Sequence, residues 1–267
     1  MSEMIANKNL SVMSFNILYN QVTDERVARV VKTIAKAHPD TIGVQECTPK
    51  WLAFLCDLLP KEYTWVKSID RNDNGKGEYS AIFYRNDVLE LLETDTKWLS
   101  DTPDICSKYE QSSLNRVVCY AVFKNKQSGT VFIHANTHLD NIGAQGEQAT
   151  ALCKVVDAVS QKYGNCPIFV TGDFNQIVTA PGHTAMLNDG FLESNGVAIV
   201  RENPEKTFDP EEIYAPGKFF TIDYCFVKHI DAEQIKLYRV ITEKVDGAYP
   251  SDHYPVYFEF DMTQGNA

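Results

Sequence analysis

Pro167-Ile168-Phe169-Val170-Thr171-Gly172-Asp173-Phe174-Asn175 reads as a buried strand that stops on a carboxylate and an amide. The short apolar run, rich in β-branched and aromatic residues, predicts a strand, and the two-residue alternation puts Asp173 and Asn175 on one face at its end. Gly, Asp and Asn are also ordinary turn residues, so the stretch gains meaning only from its company.

That company repeats along the chain. Asn16 closes the apolar stretch ending Ser14-Phe15-Asn16, and Glu46 closes Val44-Gln45-Glu46. His138 and Asp140 end Asn136-Thr137-His138-Leu139-Asp140, Asp223 lies in Thr221-Ile222-Asp223-Tyr224, and Ser251-Asp252-His253 precedes the last strand. Each position alone reads equally well as a turn or a solvated strand end. Together, acids, histidines and amides at strand ends are the groups needed to hold Mg²⁺ and attack phosphorus.

The strands around these residues alternate with helices. Residues 10–19 and 41–46 read as strands, 26–37 as a helix capped by Asp24 with Val27, Val30, Val31 and Ile34 on one face, and a second helix follows Thr48-Pro49. Successive strands at 63–67, 80–84, 88–98, 117–123 and 130–137 suggest antiparallel neighbours. A helix near 145–161, the opening strand, a helix near 180–188 and strands at 219–227, 235–241 and 255–260 complete the pattern. Loops are expected at 69–78, 101–113 and 203–218. With no repeat or low-complexity linker, the expectation is one α/β domain over residues 1–267, its core about 9–262.

The 267 residues are 44% hydrophobic, enough for a sizeable core, and carry a formal charge of −11. That charge argues against broad attachment to duplex nucleic acid, yet permits phosphate chemistry where carboxylates gather around a cation. Seven scattered cysteines, with no Cys-x-x-Cys, fit reduced thiols and disfavour structural zinc. Neither a signal peptide nor a membrane span is visible, so a cytoplasmic protein is expected, without membrane attachment or an obligate protein partner.

The ordered set resembles the endonuclease/exonuclease/phosphatase superfamily, whose members include pancreatic deoxyribonuclease, abasic-site endonucleases, inositol polyphosphate 5-phosphatases, sphingomyelinases and nocturnin-like deadenylases. The matching residues are Ser14-Phe15-Asn16, Gln45-Glu46, Gly77-Glu78 before Phe83-Tyr84-Arg85, Arg116, Thr137-His138-Leu139, Gly172-Asp173-Phe174-Asn175, Ile222-Asp223-Tyr224 and Ser251-Asp252-His253. The resemblance is closest to small bacterial members and the nocturnin-like branch. It implies a four-layer α-β-β-α sandwich of two packed mixed, mainly antiparallel sheets, with the site at one rim.

It also implies roles. Glu46 would be the main ligand of Mg²⁺, with Mn²⁺ a substitute, and Asn16 and Asp252 would lie near the ion or its waters. Asp173 would orient or deprotonate the attacking water, and Asn175 would donate to a phosphate oxygen. His253 would be held by Asp223 and His138 by Glu78, while Arg116 would be a further phosphate or carboxylate partner.

Departures narrow the substrate. Leu18 stands where abasic-site endonucleases carry a second acid, residues 140–148 hold no Arg or Lys, and no lipid-binding insertion is identifiable. Asp70-Arg71-Asn72-Asp73-Asn74-Gly75 imitates a calcium loop, but its twelfth position is Ala81 rather than Glu, so it reads as a polar rim. The expected activity is Mg²⁺-dependent hydrolysis of a phosphate ester on a small phosphorylated molecule or nucleotide. The alternatives are a deadenylase-like 3′-5′ exonuclease on single-stranded nucleic acid, with Tyr79, Tyr109 and Phe219 as stacking residues, and a non-catalytic binding module.

Overall fold

The computed structural model describes residues 9–209 and 220–262. Strand β1 (Asn9–Asn16), helix α1 (Asp24–Ala37), β2 (Thr41–Cys47), α2 (Pro49–Leu58), β3 (Tyr63–Trp65) and β4 (Tyr79–Arg85) open the chain. Strands β5 (Leu89–Trp98), β6 (Val117–Asn125) and β7 (Val131–His138) precede α3 (Gln145–Lys162), β8 (Ile168–Asp173) and α4 (Pro181–Asn188). The rest comprises β9 (Leu192–Glu193), α5 (Ser194–Val197), β10 (Val200–Glu202), β11 (Asp223–Lys228), β12 (Ile235–Val240) and β13 (Val256–Asp261).

The strands form two sheets, ordered β10-β12-β13-β1-β2-β4-β3 and β5-β6-β7-β8-β11-β9. Only the β1–β2, β7–β8 and β10–β12 pairs are parallel, so the sheets are mixed and mainly antiparallel. Helices α1 and α2 cover one sheet through Val27, Val30, Ile34, Trp51 and Leu55, and α3 and α4 cover the other through Leu152, Val156 and Met186. The architecture is the expected four-layer sandwich.

The inward faces of the strands change character along their length. On β7 the alternate residues Phe132, His134, Asn136 and His138 share one face, as do Phe169, Thr171 and Asp173 on β8 and Leu10, Val12, Ser14 and Asn16 on β1. Phe132, Phe169, Leu10 and Val12 belong to the apolar inter-sheet core. Next comes a polar seam: His134 lies between Thr41 Oγ1 (2.8 Å) and Thr171 Oγ1 (2.9 Å), and Gln45 donates to Asn136 Oδ1 at 2.6 Å. A Cβ on Gly43 would sit 2.3 Å from Thr171 Oγ1, so the sheets meet here too closely for any side chain. Beyond the seam the same faces carry Asn16, His138 and Asp173.

Two readings of the sequence need adjustment. The cap of α1 is Thr23, whose hydroxyl accepts from Arg26 N, because Asp24 has already entered the helix. Its buried face also includes Arg26 and Thr33, while Val31 is only partly buried. The short elements β9, α5 and β10 carry too little periodicity to be read. The expected 219–227 strand begins later, at Asp223, with Phe220 making only an isolated bridge to Phe208, while Phe219 and most of the 203–218 loop lie outside the described residues.

Candidate active site

Register assembles the site. His138 on β7 and Asp223 on β11 both lie opposite Asp173 on β8, so one rung carries all three side chains on the same face. Asn16 reaches across from the other sheet and donates to Asp173 Oδ2 at 2.9 Å and to Glu46 Oε1 at 3.2 Å. The amide thus brackets two carboxylates from opposite layers.

Asp173 is fully buried. Its Oδ1 accepts from Asn175 N (2.8 Å), and Oδ2 lies 3.4 Å from His138 Nε2 and 3.7 Å from His253 Nε2. Burial and then repulsion from Asp223 push its pKa up to about 7, despite the opposing pull of His253. Burial alone would depress His253, but Asp223, bonded to its Nδ1 at 2.9 Å, and Asp173 outweigh this and raise it to about 10. His253 is therefore an imidazolium with Nε2–H toward Asp173. His138 is driven the other way, by burial and then by Arg116, His253 and Arg71, and is neutral.

Strain marks the strand ends. Glu46 and Asn175 have φ of +58° and +52°, the left-handed region that non-glycine residues seldom enter, and β2 is irregular between Val44 and Cys47. The turn at Glu46 lets its Oε2 accept from Tyr19 N at 2.7 Å. Asp252 is tied in through Ser251, whose hydroxyl lies 3.2 Å from Asp252 Oδ1 and donates to Asn16 O at 2.8 Å.

The expected residues come together, with two differences in pairing. Glu78 bonds Arg71 (Nη1–Oε2 2.7 Å) rather than His138, whose Nδ1 is buried without a partner among the described residues. A guanidinium is a stronger partner for a buried carboxylate than a neutral imidazole. Asn175 commits both amide protons internally, to His138 Nε2 (2.9 Å) and Leu139 O (3.0 Å), so a bond to phosphate requires the substrate to replace His138 as partner. Asp140 is a loop anchor, accepting from Ser113 Oγ, Leu114 N, Ile142 N and Gly143 N.

Arg116 is buried and shares a narrow cleft with Glu46, Glu78 and His138. Arg71 lines the same cleft. In the sequence Arg71 is one residue of a polar loop, and its ion pair with Glu78 reveals its place. Arg26 was missed as well: its guanidinium donates to the carbonyls of Ile17, Leu18, Asn20, Gln21 and Pro250, joining the loop after β1 to the one before Asp252. Of the aromatics expected as a stacking platform, Tyr79 lines the cleft, Tyr109 lines a different cavity with Lys154, and Phe219 lies outside the described residues.

The donor set suits a hard divalent cation. Glu46, Asp173, Asp223 and Asp252 gather buried or nearly buried carboxylates at one rim, more negative charge than His253 balances. Asn16 already uses Oδ1 to accept from Leu18 N at 3.0 Å, so it serves as a bracket more readily than as a ligand. Ligand atoms of Asp173, Asp223 and His253 also lie within 4.8 Å of one another, although His253 Nδ1 is committed to Asp223.

Residues 13–253 match the model of the Endonuclease/Exonuclease/phosphatase family, and the chain belongs to that family. It is a metal-dependent phosphoesterase or nuclease hydrolase. A mannosyl-6-phosphatase from Bacteroides thetaiotaomicron is 30% identical, with a TM-score of 0.83 over 93% of this chain and 98% of that one. An endonuclease/exonuclease/phosphatase from Bacteroides vulgatus is 28% identical, with a TM-score of 0.83 over 96% and 99%. The human nocturnin catalytic domain, 20% identical with a TM-score of 0.68 over 96% and 95%, shares the fold. Comparison with curated proteins returns no match. No helix among the described residues is long and apolar enough to cross a membrane.

Proposed function

We propose that this protein is a Mg²⁺-dependent phosphatase of small phosphorylated molecules, carried by one domain. The observation that carries the reading is the rung His138–Asp173–Asp223 with His253 closed over Asp173. The similarity to a mannosyl-6-phosphatase makes a sugar phosphate the first substrate to test.

Each residue has a role that follows from its surroundings. Asp173, with a pKa raised to about 7, is basic enough near neutrality to take a proton from water and is fixed by Asn16 and Asn175. His253, kept charged by Asp223, donates through Nε2 to a phosphate oxygen, and neutral His138 faces the same phosphate from the other side. Glu46, with Asp252 and Asn16 beside it, would hold the cation, which when bound supplies positive charge against the developing charge on phosphate. Asp173 would direct water in line with the departing ester oxygen, yielding an alcohol and inorganic phosphate. Arg116 is a further phosphate partner.

The small phosphorylated molecule is preferred to a strand of nucleic acid because, of the two expected stacking residues among the described residues, Tyr79 lines the cleft and Tyr109 lines a different cavity. The test compares mannose 6-phosphate, p-nitrophenyl phosphate, its bis-ester and a single-stranded oligonucleotide with Mg²⁺ and with Mn²⁺. Turnover of the monoesters, abolished by EDTA and restored by Mg²⁺, is the expected result. Activity untouched by EDTA, or confined to the oligonucleotide, would contradict it.

A further inference from the structure

We propose that Arg71 and Arg116 form a two-guanidinium seat for one unesterified oxygen of a phosphate, and that Arg71 sets a preference for phosphomonoesters over diesters. This rests on the phosphatase reading and adds a specificity residue to it.

The first ground is unmet hydrogen bonding. Arg71 and Arg116 line the cleft beside Glu46 and His138, and Nε of each is buried without a hydrogen-bond partner among the described residues. Asp140, the acid nearest Arg116 at 3.8 Å, is already engaged by backbone and hydroxyl donors. Buried donors left open at a cleft call for an acceptor, and guanidinium forks match phosphate geometry.

Size is the second ground. The cleft holds about 10 Å³ of free volume, room for roughly one water or one phosphoryl oxygen. An ester substituent cannot continue through it. A monoester presents three free oxygens and close to two charges at neutral pH, so it can place one oxygen here while its ester oxygen faces out. A diester can also place one oxygen here, but it has one free oxygen fewer and only a single charge, so two guanidiniums hold it less strongly than the monoester.

The third ground is how firmly Arg71 is held. Its N–H donates to Glu78 O (3.0 Å), its carbonyl accepts from Trp98 Nε1 (2.9 Å), and its Nη1 bonds Glu78 Oε2. The loop bearing it is knitted by the buried Asp70 carboxylate, which accepts from the backbone of Asn72, Asn74, Gly75 and Gly77 at 2.7–3.1 Å. A Cβ on Gly77 would lie 2.2 Å from Asp70 Oδ1, so this packing needs glycine. The acid that imitates a calcium ligand in sequence is thus filled by its own loop, which delivers a guanidinium to the cleft.

The experiment measures kcat/KM for p-nitrophenyl phosphate and bis(p-nitrophenyl) phosphate with Mg²⁺ in wild type, Arg71→Met, Arg71→Lys and Asp173→Asn, together with calorimetric binding of inorganic phosphate. Loss of two charge-assisted bonds predicts that Arg71→Met lowers monoester kcat/KM by roughly 30-fold or more, chiefly through KM, and weakens inorganic phosphate binding similarly. The diester should change less than about 3-fold, and Arg71→Lys should recover part of the loss, as expected if one charge-assisted contact is regained. Equal losses on both substrates, or unchanged phosphate binding, would overturn the assignment. Asp173→Asn should lose both activities, which separates failure of the arginine seat from failure of the phosphatase reading. If wild type turns over neither ester, the phosphatase reading fails, and the calorimetry alone decides whether Arg71 binds phosphate.

Discussion

At the scale of single residues, the site depends on charges whose partners lie outside their own elements. Arg26 is the plainest case, because it closes the carbonyls of Ile17, Leu18 and Pro250 over the two loops that carry Glu46's partner Tyr19 and Asp252. Its guanidinium also lies 4.7 Å from the Trp51 ring centroid. Arg26→Met should therefore cost about 2–4 kcal/mol in urea unfolding, since several buried acceptors lose their donor. It should also lower kcat in the fraction that remains folded. An unchanged unfolding midpoint would show the loops are held by something else. Asp173, Asn175, His253 and Glu46 were legible because strand ends advertise them; Arg26 was not, because a helix's first turn is where an exposed arginine would be unremarkable. The Glu78 partner was misread for a related reason: the competing Arg71 sits in a loop whose fold depends on Asp70, and no periodicity reports that.

At the scale of elements, the strands grade from apolar to polar to the proposed catalytic residues along one face, and this was half visible. The alternation Phe132, His134, Asn136, His138 can be read from β7, yet nothing in it says that His134 ends between Thr41 and Thr171 of different sheets. The seam positions the rim: Gln45 bonds Asn136 and Ser14, and the next residue is Glu46. Gly43→Ala should push the sheets apart at the seam, with Cβ 2.3 Å from Thr171 Oγ1, costing about 1–3 kcal/mol. Activity should fall further than stability, because Asn16 must span both sheets to bracket Asp173 and Glu46. Thermal unfolding beside kcat measurements checks both halves, and wild-type values in each would count against the seam as a positioning element.

At the scale of the whole molecule, burying titratable groups ties stability to pH. His134 is fully buried, and burial lowers its pKa from 6.5 to about 3. Below pH 6.5 the unfolded chain binds a proton that the native state refuses, so this contribution to stability is intact above 6.5 and lost as pH falls toward 3. The slope approaches about 1.4 kcal/mol per pH unit within that window. His134→Gln should be less stable than wild type at pH 8 but flatter between pH 6 and 4 in urea unfolding; parallel curves would contradict the linkage. The same two-sheet packing brings Asp173 under three strands' worth of functional groups, and on that carboxylate the phosphatase account stands. The most direct measurement is kcat for p-nitrophenyl phosphate with Mg²⁺ in Asp173→Asn against wild type, with circular dichroism confirming the fold. Loss of the proposed water-positioning base predicts a fall of about 10²–10⁴-fold with the fold intact. Turnover within a few-fold of wild type would mean that Asp173 is not the residue that handles the attacking water.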